Sequence, residues 1–140
     1  MKKYFSIEVP AEYRYLAIIR NFYSQCLKGS GLVHHDNDVL HLELAINEFC
    51  ENVIKHGYDG PGGYIMIKIK VDRDSINTAI FDNGIPHNML EYKPIDKQTL
   101  VEKGIRGKLG IRMIRTVCSD IQYRRLVNRN RTVFIKNIVS

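Results

Sequence analysis

Two polar side chains lie four residues apart in a segment whose apolar residues follow helical spacing. They are Glu48 and Asn52, and steps of three and four place them on one helix face with Ala45 and His56. That face flanks the apolar stripe, where a carboxylate and an amide need hydrogen-bonding or charged partners. A bound ligand would supply such partners. Water at an ordinary polar margin would supply them too, and for this pair alone that is the commoner explanation.

A third polar group stands at the end of a predicted strand. Every second residue from Ile76 onward shares one face, and Asp82 is the fourth of that series. The alternation predicts a carboxylate that points inward just before Asn83 and Gly84 turn the chain away. An Asx-type turn at a strand end is the alternative explanation.

A glycine-bearing segment, Gly104-Ile-Arg-Gly107-Lys-Leu-Gly110, precedes the last predicted helix. Small residues before a helix N-terminus allow backbone N–H groups and the helix dipole to meet phosphate. Arg106 and Lys108 add positive charge to the same segment. Because glycines occur in loops of every kind, this segment by itself is weak evidence for a phosphate site.

The periodicities of the chain provide the elements that must position these groups. Residues 83–107 lack any period, and a loop of that length in a compact domain is usually functional or disordered. Strands joined as hairpins, with helices set apart from them, indicate one α+β domain over residues 1–140. Its helices should pack on one face of a mixed, mainly antiparallel sheet. The predicted elements are strands at 4–9, 65–71, 76–82, 121–127 and 132–138, and helices at 10–27, 36–56 and 108–119.

Two helix starts follow from local rules. Pro10 suits the first turn of the first helix, where a missing N–H costs nothing. Asp36 or Asp38 is expected to cap the second helix, and Gly57 should end it. The core stripe of that second helix is formed by Val39, Leu42, Ile46, Phe49 or Cys50, and Val53.

Composition bounds the class of protein. The chain has 140 residues, 44% of them hydrophobic and 26% charged, with a formal net charge of +6. It lacks both an apolar run of the ~20 residues that a membrane span requires and a signal-peptide pattern, so we expect a cytoplasmic protein without a membrane partner. The positive charge favours acidic partners, namely nucleotide phosphates, nucleic acid or an acidic protein surface. No basic strand interleaved with aromatics appears, so nucleic acid is the least favoured of these partners.

The order of these features resembles the GHKL (Bergerat-fold) ATPase superfamily, and within it the anti-sigma factor serine/threonine kinases of bacterial stress and sporulation switches. The resemblance extends over nearly the whole chain. Its motifs are Glu48-Phe-Cys-Glu-Asn52-Val-Ile-Lys-His56-Gly57, Phe81-Asp82-Asn83-Gly84-Ile85-Pro86 and Gly107-Lys-Leu-Gly110.

For the second helix, the resemblance implies a phosphate-side role. Asn52 is similar to the amide that holds Mg²⁺ against the phosphates, an oxygen ligand of the kind this cation prefers. Glu48 is similar to the carboxylate that acts as general base on a water or a serine hydroxyl. His56 completes the motif and is counted among the nucleotide-contacting residues.

For the base, the resemblance implies a second set of residues. Asp82 is similar to the carboxylate that accepts the adenine amino group, which distinguishes adenine from guanine. Gly84 would let the backbone pass close to the base. Thr132 is similar to a strand threonine beside adenine.

For the lid, the resemblance implies that Gly107 and Gly110 lie near the phosphates, together with Leu109 between them. Arg106 falls where lid arginines of this family neutralise γ-phosphate charge. Lys108 departs from the family pattern, which often has a further glycine there. A side chain at that position would either crowd the lid or contact phosphate.

The resemblance therefore implies a protein serine kinase that uses ATP and Mg²⁺. Such a protein would sequester a sigma factor and phosphorylate a serine of an antagonist protein. The second hypothesis is a non-catalytic module that senses ATP and regulates a protein partner. A nucleic-acid-binding domain is a third, motivated only by charge, and a homodimer is one oligomeric state that the sequence leaves open.

Overall fold

The computed structural model describes residues 1–58, 60–88 and 114–138. The predicted lid segment falls outside the described residues, including Arg106, Gly107, Lys108, Leu109 and Gly110. The elements, in chain order, are β1 (Lys3–Pro10), a 3-10 turn (Tyr13–Tyr15), α1 (Leu16–Gly29), α2 (Asp36–Gly57), β2 (Tyr64–Val71), β3 (Ser75–Asp82), β4 (Asp120–Leu126) and β5 (Arg129–Asn137).

The five strands form one sheet in the order β1-β2-β3-β5-β4. All four pairings are antiparallel. β1 lies at one edge, and β3 lies at the centre between β2 and β5. The central position of β3 gives its last residue, Asp82, a neighbouring strand on each side. The register places Asp82 opposite Ile65 of β2 and Asn130 of β5.

The main core lies between the helices and one face of the sheet. On β2 the residues Ile65, Ile67, Ile69 and Val71 are all buried, as their alternation predicted. The predicted apolar stripe of α2 is buried as well, from Val39 to Val53. The α+β class with helices packed against a sheet is thereby confirmed. Among the described helices, none combines the length and apolar character that a membrane crossing requires.

Two predicted helix starts were wrong. Pro10 is the last residue of β1, opposite Tyr64, and not the first residue of a helix. The chain stays beside the sheet for one more residue because the Ala11 N–H donates to the Gly63 carbonyl at 2.9 Å. At α2 the N-cap is His35, which makes no side-chain cap hydrogen bond, and Asp36 lies inside the first turn. Acidic side chains there still favour the helix through its dipole.

The described part of the predicted last helix agrees with its apolar pattern. Residues 114–117 are helical, and Ile114 and Cys118 are buried in the core. Burial in apolar surroundings raises the pKa of the Cys118 thiol to about 11. Cys26 and Cys50 are also free and buried, so the three cysteines are core residues.

Candidate functional site

The polar face of α2 carries the first group of candidate residues. Asn52 is buried, Glu48 is half-buried, and His56 is exposed near the end of the helix. Glu48 lies one turn before Asn52, about 6 Å along the axis. An acidic group at the rim of the core therefore stands beside an amide within the core. The exposure of His56 sets it apart from the two others.

Asp82 forms the second part of the candidate site. It is 3% exposed at the end of β3, on the side of the sheet that faces the helices. Its Oδ1 accepts hydrogen bonds from the Gly84 N–H at 3.1 Å and from Nδ2 of Asn130 at 2.9 Å. Within residues 1–58, 60–88 and 114–138, no donor reaches Oδ2. The inward orientation predicted from the strand alternation is observed, and the Asx-type contact to Gly84 accompanies it.

Burial dominates the electrostatics of this carboxyl group. Removal from water raises the pKa of Asp82 above its usual value because it disfavours the charged form. The hydrogen bonds from Asn130 and Gly84 oppose that rise, and His87 and Arg125 oppose it through their charge. A buried carboxyl with one satisfied oxygen and one without a described donor suits a ligand that donates a hydrogen bond.

Gly84 has a steric reason to be glycine. A Cβ built at this position would lie 2.5 Å from the carbonyl oxygen of Gly57 and 3.1 Å from Oδ1 of Asp82. Both neighbours are fixed, since one is backbone and the other is hydrogen-bonded. The next residue, Ile85, donates its N–H to the same Gly57 carbonyl at 2.9 Å. The turn after β3 is thus packed directly against the end of α2.

Thr132 lies on β5, on the same side of the sheet as Asp82. It pairs with Ile80 in the antiparallel register, so Thr132 and Asp82 are diagonal neighbours, about 7–8 Å apart between Cα atoms. Its side chain is 1% exposed, and its Oγ1 has no hydrogen-bond partner among the described residues. A buried hydroxyl without a partner is costly, and each such group needs an explanation. A ligand beside Asp82 would provide one.

A hydrogen-bonded group beside Asp82 was not predicted from the sequence. Asn130 donates from Nδ2 to Asp82 and also to the carbonyl of Ile85 at 2.8 Å. Its Oδ1 accepts from the hydroxyl of Tyr123 at 2.5 Å and from Nη1 of Arg125 at 3.2 Å. The signal that would have indicated Asn130 is the alternation of β5, because it precedes Thr132 by two residues and shares its face.

An open cleft of about 470 Å³ borders the turn after β3. Its wall includes the end of α2 at Gly57, the turn residues Asn83 and Gly84, and Arg125 from β4. Nη1 of Arg125 donates to the Gly84 carbonyl at 2.8 Å, which fixes that part of the wall. The structure therefore brings α2, the β3 turn and the β4–β5 hairpin together at one end of the sheet.

Comparison with known proteins agrees with this fold. Residues 9–136 match the family described as the histidine kinase-like ATPase domain. The chain belongs to this family.

Two sequence relatives and one solved structure are similar to this chain. A serine-protein kinase RsbW from Bacillus mycoides is 31% identical over 128 residues, which cover 87% of this chain and 79% of the relative. The protein of the same name from Bacillus thuringiensis subsp. konkukian is 30% identical with the same coverage. A crystal structure of RsbU and RsbW domains from Mycobacterium tuberculosis superposes with a TM-score of 0.64 over 96% of this chain at 16% identity. This chain spans 32% of that solved chain, and the likeness supports the fold alone.

Proposed function

We propose that this chain is an ATP-dependent protein serine kinase, with residues 1–140 forming one ATP-binding domain. Its substrate would be a serine of an antagonist protein. The same chain would also bind and sequester a sigma factor. The observation that carries the proposal is the placement of Glu48 and Asn52 on one face of α2, within a chain whose curated relatives bear the name serine-protein kinase.

The residues at the end of the sheet fit an adenine base. The amino group of adenine is a hydrogen-bond donor, and Oδ2 of Asp82 is an acceptor with no donor among the described residues. The unpartnered Oγ1 of Thr132 lies on the same face and would gain a partner from the base or from a water bound with it. Guanine has a carbonyl oxygen in place of the amino group. A carboxylate would repel that oxygen, so the pair favours adenine.

The helix α2 would serve the phosphates. The amide oxygen of Asn52 is the kind of ligand that Mg²⁺ accepts, because this cation usually takes one or two protein oxygens beside phosphates and waters. Bound Mg²⁺ would neutralise charge on the phosphate oxygens. Residues 1–58, 60–88 and 114–138 contain no group of three or more His, Cys, Asp or Glu arranged to hold a metal ion. The proposal assigns Asn52 as the protein ligand.

Glu48 would act on the nucleophile. In the proposed reaction the serine oxygen forms a bond to the γ-phosphorus, the bond between that phosphorus and the β,γ-bridging oxygen breaks, and ADP leaves. The hydroxyl proton passes to the carboxylate of Glu48. Glu48 is half-buried and lies one helical turn before Asn52. This position would let a serine side chain of another protein approach it. Positioning and charge neutralisation supply most of the rate in such transfers.

A transfer assay tests the proposal. The chain is incubated with ATP labelled at the γ-phosphate, Mg²⁺ and a candidate antagonist protein from the same genome, and label on the antagonist is counted. Glu48→Gln keeps the size of the side chain and removes the base. We expect it to bind ATP nearly as the parent does and to transfer phosphate about 10²–10⁴-fold more slowly.

Glu43→Gln is the matched control, because Glu43 lies on the same helix and is half-buried, like Glu48. Its position five residues earlier places it about 140° around the helix axis from Glu48, away from the proposed site. Its transfer rate should equal that of the parent. A parent that binds ATP and phosphorylates no antagonist tested would favour the non-catalytic ATP-sensing module instead. Undiminished transfer by Glu48→Gln would place the base elsewhere.

A further inference from the structure

The amide of Asn130 uses its full hydrogen-bonding capacity. Both N–H groups are engaged, by Oδ1 of Asp82 at 2.9 Å and by the Ile85 carbonyl at 2.8 Å. The oxygen accepts from the hydroxyl of Tyr123 and from Arg125. This orientation of the amide follows from chemistry, because a carbonyl cannot donate and an arginine cannot accept. Asn130 is 1% exposed, so its contacts exclude water.

These contacts determine how Asp82 presents its two oxygens. Oδ1 receives the amide of Asn130 and the N–H of Gly84, and both hydrogen bonds approach the same atom. A carboxylate held by two donors on one oxygen has a fixed rotation about its side-chain bonds. Oδ2 then remains as the acceptor for a ligand. The second N–H of Asn130 holds the Ile85 carbonyl, so one side chain fixes both the carboxylate and the turn that follows it.

We propose that Asn130 is a positioning residue for adenine selection, which holds Asp82 so that Oδ2 receives the amino group of the base. The inference rests on the proposed ATP site and adds to it a residue of β5 that neither the sequence motifs nor the comparisons indicate. Tyr123 and Arg125 of β4 donate hydrogen bonds to the amide oxygen of Asn130. The β4–β5 hairpin would therefore take part in recognising the base.

The groups that face Asp82 fix the expected pH behaviour. Arg125 from β4 and His87 beyond β3 favour the ionised carboxylate through their positive charge. From the α2 side, Cys50 and Tyr58 are neutral near pH 7, because burial first, and then the nearby carboxylate, raise the pKa of each. The Asn130 amide holds the pKa of Asp82 below the value that burial alone would produce. Without that amide, Asp82 would bind a proton at higher pH and lose its acceptor.

The test compares two nucleotides and two variants. Asn130→Asp preserves the size and the oxygen that accepts from Tyr123 and Arg125, but it replaces the donor to Asp82 with an oxygen. Asn130→Ala removes the donor without adding charge, in case the first variant fails to fold. The probes are ATP and purine riboside triphosphate, which lacks the 6-amino group. The affinity of each is measured by titration from pH 5 to pH 9.

In the parent we expect ATP to bind about tenfold or more tightly than purine riboside triphosphate, because the amino group meets a charged acceptor. In both variants this ratio should fall to nearly one, while the affinity for purine riboside triphosphate changes little. In both variants the pH below which ATP binding weakens should also move upward, because neither variant keeps the amide that donates to Asp82. Asn137→Asp is the matched control, since it makes the same change on an exposed residue of the same strand and should behave as the parent does.

Three outcomes would overturn the inference. If the variants weaken both nucleotides equally, Asn130 has a structural role only. If the affinity ratio of the two nucleotides and the pH at which ATP binding weakens stay as in the parent, Asn130 does not position Asp82 for the base. If the parent itself fails to bind ATP, the proposed function falls together with the inference, and that result is distinct because it appears without any substitution.

Discussion

Replacing Asp82 by asparagine separates what this residue does for binding from what it does for folding. In Asp82→Asn the side-chain oxygen can still accept from the Gly84 N–H and from the Asn130 amide, so both described hydrogen bonds survive. The new NH₂ group then occupies the position of Oδ2. In the proposed site it would face the amino group of adenine, and two donors would meet where a donor and a charged acceptor met before.

The magnitude follows from the hydrogen bond that is lost. A hydrogen bond to a charged group contributes about 1.5–3 kcal/mol, which corresponds to a loss of about 10- to 150-fold in affinity. We expect ATP binding to weaken by at least that factor. Isothermal titration with ATP and with purine riboside triphosphate measures it, and the second nucleotide should lose little because it lacks the amino group.

The same substitution should not destabilise the protein without nucleotide. Burial raises the pKa of Asp82 in the folded chain above its unfolded value. A carboxyl group of this kind contributes stability that is present below the unfolded pKa and is lost as the pH rises through the folded pKa. At pH 8 the parent therefore bears the cost of a buried charge that Asp82→Asn lacks. Thermal unfolding without nucleotide should give a melting temperature for the variant equal to or above that of the parent at pH 8, with the difference shrinking toward pH 4.

Two results would refute this reasoning. Unchanged ATP affinity would remove Asp82 from the base site. A melting temperature several degrees below that of the parent at pH 8 would show that the ionised carboxylate stabilises the fold, against the direction of its pKa.

Three further changes test other parts of the site. Gly84→Ala should destabilise the fold by about 1–3 kcal/mol in urea unfolding, because its Cβ would meet the Gly57 carbonyl oxygen at 2.5 Å. Gly60→Ala is the control and should not destabilise the fold, because nothing lies within 4 Å of the added Cβ. Equal stabilities of the two variants would contradict the packing argument. Thr132→Val should leave the free energy of unfolding equal or higher, because the removed hydroxyl has no hydrogen-bond partner among the described residues. The same variant should weaken ATP binding. A stability loss above about 1 kcal/mol would mean that the hydroxyl is hydrogen-bonded within the fold. Asn52→Ala should abolish the dependence of ATP affinity on Mg²⁺, and an unchanged response to the metal would remove this residue from the metal site.

Regular periodicity made most of the fold predictable. The alternation of β2 predicted residues 65–71, and the strand extends over Tyr64–Val71. The apolar stripe of α2 likewise predicted which of its residues are buried. The start of the first helix was not predictable by the same means, because a proline fits both the first turn of a helix and the end of an edge strand. The pairing of Pro10 with Tyr64, which decides between them, joins residues 54 positions apart in the sequence.

The candidate site shows the same division between local and distant information. The alternation of β3 predicted that Asp82 points inward, because that property belongs to one strand. Its partner Asn130 lies 48 residues further along the chain, and only the sheet order β3-β5 brings the two together. The alternation of β5 indicates that Asn130 faces inward but contains no information about the residue it meets. Sequence motifs thus identified candidate ligand-binding groups, and the topology was needed to identify what holds them.

The contact between Gly57 and the turn after β3 connects the two halves of the proposed site. Asn52, the proposed metal ligand, lies five residues before Gly57 on α2, about 7.5 Å along the helix axis. Asp82 lies three residues before Ile85, whose N–H donates to the Gly57 carbonyl at 2.9 Å. The proposed phosphate side and the proposed base side are therefore held at a fixed separation by one backbone hydrogen bond and one close glycine contact. A side chain at Gly84 would push the end of α2 and the turn after β3 apart, so the glycine there sets the spacing between Asn52 and Asp82.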